Sequence, residues 1–128
     1  MRLFLQIDMG DWKTRSYHNP LVAYASSRAA DLMGTDIDNQ SESGVIDLVL
    51  KLVEQADFVF VLVVAAPGGQ PGSVEKMFSY LLQHKNKVDK LVLLGENESI
   101  KIMETGFQER FIAVTDSNEV KKMIRDFA

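Results

Sequence analysis

Ala56-Asp57-Phe58-Val59-Phe60-Val61-Leu62-Val63-Val64-Ala65-Ala66-Pro67-Gly68-Gly69-Gln70-Pro71-Gly72-Ser73-Val74 joins an unbroken apolar run to a turn rich in glycine and proline. The run is far short of the roughly 20 residues that a membrane-spanning helix needs. Phe58 to Ala65 is apolar on both alternating faces, so it reads as a central strand of a parallel sheet, where helices cover both sides. After the turn, Val74, Met77, Phe78, Leu81 and Leu82 recur at i, i+3, i+4, i+7 and i+8, and Ser73 is the expected cap of the helix they define. Strand, turn and helix in this order form half of a parallel crossover.

The same alternation extends in both directions. Arg2 to Asp8 reads as the first strand, and Asn19-Pro20 supplies a cap and a first-turn proline for a helix. Val22, Ala25, Ala29, Leu32 and Met33 fall at helical spacing, with Gly34 expected to end that helix. Thr35 to Asp38 is then a short second strand. Val45, Val49, Leu52, Val53 and Ala56 mark the second helix, which leads into Phe58. Downstream, Lys90 to Gly95 is a strand, Ser99 to Thr105 a short helix and Phe111 to Val114 the last strand. Asp116-Ser117-Asn118-Glu119 has capping-box spacing before Val120, Met123, Ile124 and Phe127. The expectation is a single α/β domain over 1–128: three layers and a doubly wound parallel five-stranded sheet in flavodoxin-like order 2-1-3-4-5. In that order the ligand crevice lies outside the carboxyl ends of the first and third strands, which singles out the loops Met9–Asn19 and Ala66–Gly72.

Bulk composition narrows the function classes. A 46% hydrophobic and 25% charged chain is ordinary for a folded domain, and the formal net charge of −4 argues against general attraction to nucleic acid or anionic lipid. The chain has no cysteine, which excludes a thiolate nucleophile, a disulfide framework and Cys-ligated zinc. The opening Met1-Arg2-Leu3-Phe4-Leu5 lacks signal-peptide organisation, so a cytoplasmic location without membrane insertion is expected.

Within Ala56 to Leu81, the Ala56-Asp57 pair, the apolar strand, Pro67, Pro71-Gly72 and Tyr80-Leu81 stand in an order that resembles the NADPH-dependent FMN reductase family. The segment Arg15-Ser16-Tyr17-His18-Asn19-Pro20-Leu21 is similar to that family's Ser-plus-Asn phosphate-binding turn. The resemblance implies a flavodoxin-like fold, FMN as cofactor, a possible homodimer and NAD(P)H-dependent flavin reduction. On that basis Thr14, Arg15, Ser16 and Asn19 are the candidates for phosphate, and Pro67, Gly68, Gly69 and Gln70 for the flavin ring. Hydroxyls, an arginine fork and the free amides of a helix start all suit a phosphate dianion.

Other assignments remain open. The loop after Pro67 has no aromatic residue to stack on a ring, and Asp8 and Asp11 flank the expected phosphate position, as a non-catalytic binding or regulatory domain without cofactor would have it. A nucleotide- or nucleoside-processing enzyme on this fold would need a carboxylate nucleophile, for which Asp8, Asp11 and Glu96 are candidates. The glycines alone also suit a tight strand-to-helix turn. No lysine adjoins Ser73, and Pro67 and Pro71 lack amide donors, so the turn does not meet the P-loop pattern. Asp8, Glu96 and Asp116 each follow a strand and are candidates either for a magnesium site or for caps of the next helix. His18 and His84 are too few for a histidine metal site.

Overall fold

A computed structural model describes residues 1–10 and 20–128. Strands and helices alternate along it: β1 Arg2–Met9, α1 Pro20–Ser26, β2 Leu32–Asp38, α2 Ser43–Gln55, β3 Phe58–Ala65, α3 Glu75–Gln83, β4 Val88–Gly95, α4 Lys101–Phe107, β5 Phe111–Val114 and α5 Ser117–Phe127. The sheet order is β2-β1-β3-β4-β5 and every pair is parallel, as the alternation and the apolar β3 require. The chain thus has the doubly wound α/β fold expected from its sequence. No helix among the described residues is long and apolar enough to cross a membrane.

Two cores lie on the two faces of the sheet. Leu3, Leu5, Ile7 and Met9 of β1 pack with Ile46, Val49 and Val53 of α2, Met77 and Leu81 of α3, and Met103 of α4. Phe4 and the neighbouring Phe60, Leu62 and Val92 instead pack with Leu21 and Ala25 of α1 and Val120 and Ile124 of α5. The period of two along β1 therefore decides which layer each side chain meets. The Phe60 ring lies between Phe4 and Phe127, at centroid separations of 5.6 and 5.7 Å, and ties β1, β3 and α5 together.

The first crossover departs from the expectation. Helix α1 ends at Ser26, and Leu32 and Met33 belong to β2. Ser26 Oγ donates to Val22 O at 3.0 Å and Ser27 Oγ to Tyr24 O at 2.7 Å, so hydroxyls occupy carbonyls of the final turn. Gly34 is not a helix cap: it sits in β2 beside Phe4, and a Cβ there would stand 2.7 Å from Val22 O. Its lack of a side chain lets α1 lie directly on the edge strand. Leu32 and Met33 match the helical period by coincidence, and an edge strand carrying Asp36 and Asp38 offers little apolar signal of its own.

The remaining differences are at element ends. Ser73 does not cap α3; a short 3-10 turn at Gly72–Val74 precedes the helix, and Ser73 Oγ donates to Asp38 O at 3.4 Å. Strand β4 starts at Val88, and a 3-10 turn at Glu98–Ile100 shifts α4 to Lys101–Phe107. Asp116 does cap α5, accepting from Asn118 N at 2.9 Å.

Candidate functional site

Strand order reverses between β1 and β3, so the carboxyl ends of these two strands open onto the crevice that the fold leaves between its crossovers. The loop after β3 forms one wall. Gly68 has φ +82°, and Gly69 lies so close to β1 that a Cβ would stand 2.0 Å from Met9 O. Only glycine permits both the left-handed turn and this approach without strain.

Two asparagines fasten the loop from opposite sides. Asn97, beyond β4, donates from Nδ2 to Ala66 O at 2.9 Å and Gly69 O at 2.8 Å, while its Oδ1 accepts from Ser99 N at 2.8 Å. Asn39, beyond β2, donates from Nδ2 to Gln70 O at 3.0 Å, and Asn39 O accepts from Ser73 N at 3.2 Å. Inside the loop, Gly69 N donates to Ala66 O at 3.1 Å and Gln70 Nε2 to Gly68 O at 3.4 Å. The carbonyls of Ala66, Gly68, Gly69 and Gln70 are therefore all engaged. Pro67 and Pro71 have no N–H, and the Gly68 and Gln70 amides have no acceptor among the described residues. Both residues are exposed.

Pro67, Gly68, Gly69 and Gln70, the residues expected at a flavin ring, follow β3 at the switch point; the Gly69 amide donates to Ala66 O, whereas those of Gly68 and Gln70 have no acceptor among the described residues. Thr14, Arg15, Ser16 and Asn19 lie outside the described residues, as does Asp11. Asn39 and Asn97 were not singled out from the sequence. The available signal was an asparagine just past a strand end in a chain of alternating strands and helices, and for Asn97 a serine two residues on, as in an Asx turn.

The rim beside this wall is acidic. Asp8 is register partner to Asp38 across β1 and β2, and two residues earlier, on the same face, Gln6 is partner to Asp36. Asp8 Oδ1 accepts from Gly10 N at 2.8 Å, and Asp38 Oδ1 from Gln40 N at 2.7 Å. Glu96 is exposed beyond β4, and Asp116 is the α5 cap. Among the described residues no three His, Cys, Asp or Glu side chains gather to hold a metal ion, so Asp8, Glu96 and Asp116 do not converge.

Several charged and aromatic groups elsewhere have structural partners. At the amino-terminal end of the strands, opposite the switch point, a cleft of about 730 Å³ is lined by Arg2, Asp31, Asp57, Phe58 and Lys87. Arg2 is bidentate to Asp31 at 2.7 and 2.8 Å, and its guanidinium holds that carboxyl below the ordinary range. Lys87 Nζ donates to Val53 O at 2.9 Å at the end of α2. Tyr80 stacks on His84 at 4.1 Å, and partial burial, then the nearby Glu54 charge, raise its phenol pKa. No family model, curated protein or solved structure matches the chain.

Proposed function

We propose that this protein is a flavodoxin-fold domain that binds FMN or another phosphorylated small molecule at the β1–β3 switch point. The observation that supports this reading is the clasped β3 loop, with its carbonyls engaged by Asn39 and Asn97 and its Gly68 and Gln70 amides left as donors. A flavin ring edge carries carbonyl oxygens and ring nitrogens that accept such donors, and a loop fixed from both sides loses little entropy on binding. Thr14, Arg15, Ser16 and Asn19 are the residues assigned to the phosphate. When bound, FMN would supply the hydride chemistry of an NAD(P)H-dependent flavin reductase, and the chain would supply anchoring and orientation.

A cytoplasmic, homodimeric protein belongs to the same proposal. The absence of cysteine fits a reducing compartment, and Val45 and Leu48, 42% and 64% exposed on α2, give a second copy an apolar stripe to cover. A non-catalytic domain without cofactor is the second reading. The Asp8–Asp38 rung favours it, because negative charge beside the crevice opposes a phosphate.

An absorbance titration with FMN, repeated on Ser16→Ala, separates the two. Saturable binding that weakens in the variant supports the flavin reading and calls for an assay of NADPH oxidation. A flavin spectrum unchanged up to high micromolar protein leaves the cofactor-free domain as the function.

A further inference from the structure

Among the described residues Gln6 is the one polar residue in the buried set, 8% exposed in the middle of β1. Its Oε1 is buried without a hydrogen-bond partner, and its Nε2 has none among the described residues either. An amide oxygen is rarely buried this way, because burial removes its water and nothing here replaces it, while the Nε2 end of the same side chain keeps some solvent exposure. Pairing to β2 and β3 on both sides fixes the backbone at this point.

The neighbours of Gln6 indicate what the amide awaits. Even-numbered β1 residues face the α1 and α5 layer, where Phe4 is packed. Gln6 and Asp36 form one rung on this face and Asp8 and Asp38 the next, about 4.8 Å from strand to strand. Asp36 is exposed and has no hydrogen-bond or ion-pair partner among the described residues, and Asp8 uses one carboxylate oxygen for Gly10 N. Three acceptors and one donor thus lie on one face, running from mid-strand at Gln6 and Asp36 to Asp8 at the switch-point end of β1. Anionic phosphate does not suit such a set. Hydroxyl groups do, since each donates to a carboxylate or amide oxygen while accepting from an amide N–H, and carboxylates at strand ends hold sugar diols in this manner in nucleotide-binding sheets.

We propose that Gln6, with Asp8 and Asp36, reads the vicinal hydroxyls of the ligand, either the ribityl chain of a flavin or the ribose of a nucleotide. The inference rests on the reading that the switch point binds a ligand, and it adds the part of the ligand that sets specificity. The buried amide is retained at a cost to folding because the hydroxyls complete it.

The test uses the wild type and Gln6→Leu, which matches the side chain in size and removes both hydrogen-bonding groups. Four probes are titrated: FMN, lumiflavin, AMP and 2′,3′-dideoxy-AMP. The melting temperature of each protein is measured without ligand. The expected result is that Gln6→Leu melts no lower than wild type and binds FMN or AMP about 30-fold more weakly, as two hydrogen bonds of roughly 1 kcal/mol each imply. Affinity for the matching probe without hydroxyls should be unchanged. FMN against AMP distinguishes ribityl from ribose. Equal binding of FMN or AMP by both proteins overturns the role of Gln6 and leaves the ligand site standing. A lower melting temperature in Gln6→Leu shows a structural amide and also overturns it. Failure of wild type to bind any probe at millimolar concentration removes the switch-point reading and this inference together.

Discussion

Replacing Asn97 tests how the β3 loop is held, and two substitutions separate its two tasks. Asn97→Ala removes two donated hydrogen bonds, at 2.9 and 2.8 Å, and the accepted bond from Ser99 N that caps the 3-10 turn before α4. Half-buried hydrogen bonds contribute about 1 kcal/mol each and a cap about 1 kcal/mol, so the loss should be about 2–3 kcal/mol. Asn97→Asp keeps an oxygen for Ser99 N but points a carboxylate oxygen at the carbonyls of Ala66 and Gly69. If the clasp matters, Asp should cost about 2 kcal/mol or more despite retaining the cap. Urea unfolding with an unchanged m-value reads the difference as a shifted midpoint. Thermal melts should show roughly 3–5 °C per kcal/mol for a chain of this size. An Asn97→Asp protein within about 0.5 kcal/mol of wild type would show that Asn97 only caps, and the argument for a preorganised loop would fail.

Further substitutions probe the turn, the first crossover and the charged cleft. Gly69→Ala places a Cβ 2.0 Å from Met9 O and should cost about 1–3 kcal/mol, while Gly68→Ala meets no neighbour and pays only for its φ of +82°, about 1–2 kcal/mol. Urea midpoints of the two variants should keep that order. Gly34→Ala sets a Cβ 2.7 Å from Val22 O and should loosen α1, seen as faster amide hydrogen exchange at Leu21 to Ala25 while β3 stays protected. Arg2 lowers the Asp31 pKa, chiefly through their hydrogen bond, and the terminal ammonium lowers that of Asp57 in the same way. Depressed carboxyl pKa values give stability that is complete above the unfolded value near 4 and disappears as pH falls through the folded value. The stability difference between wild type and Asp31→Asn measured at pH 6 should therefore shrink steadily below about pH 4. A constant difference down to pH 2 would count against the pairing.

The legible parts of the fold were those where burial demands a pattern. Beyond its exposed first residue, Phe58–Ala65 is covered on both faces, so its apolar run names a central strand; Phe111–Val114, an edge strand with only Val114 buried, was readable because its four residues are all apolar. Strand β2 was hidden because an edge strand is paired on one side only and tolerates Gly34, Thr35, Asp36 and Asp38, while Leu32 and Met33 extended a helical period by chance. Gly34 shows the limit of local reading: glycine after a helix suggests a cap, but here it makes room for a helix from the neighbouring layer. The loop Ala66–Gly72 was found from fold order and its glycines. The clasp by Asn39 and Asn97 depends on contacts 31 residues apart in sequence, which no local pattern encodes. The lack of a partner for Gln6 is likewise a three-dimensional fact, since in the sequence it is one polar residue in the alternation of a strand.

An amide-resolved NMR titration with FMN tests the central claim most directly, because it reports which surface a ligand touches. The account expects saturable shifts of the Gly68 and Gln70 backbone amides and of the Gln6 side-chain NH2, with Phe58 and Asn86 at the opposite end of the strands unmoved. An unchanged spectrum at millimolar FMN, or shifts confined to the end around Phe58, would contradict a ligand site at the β1–β3 switch point.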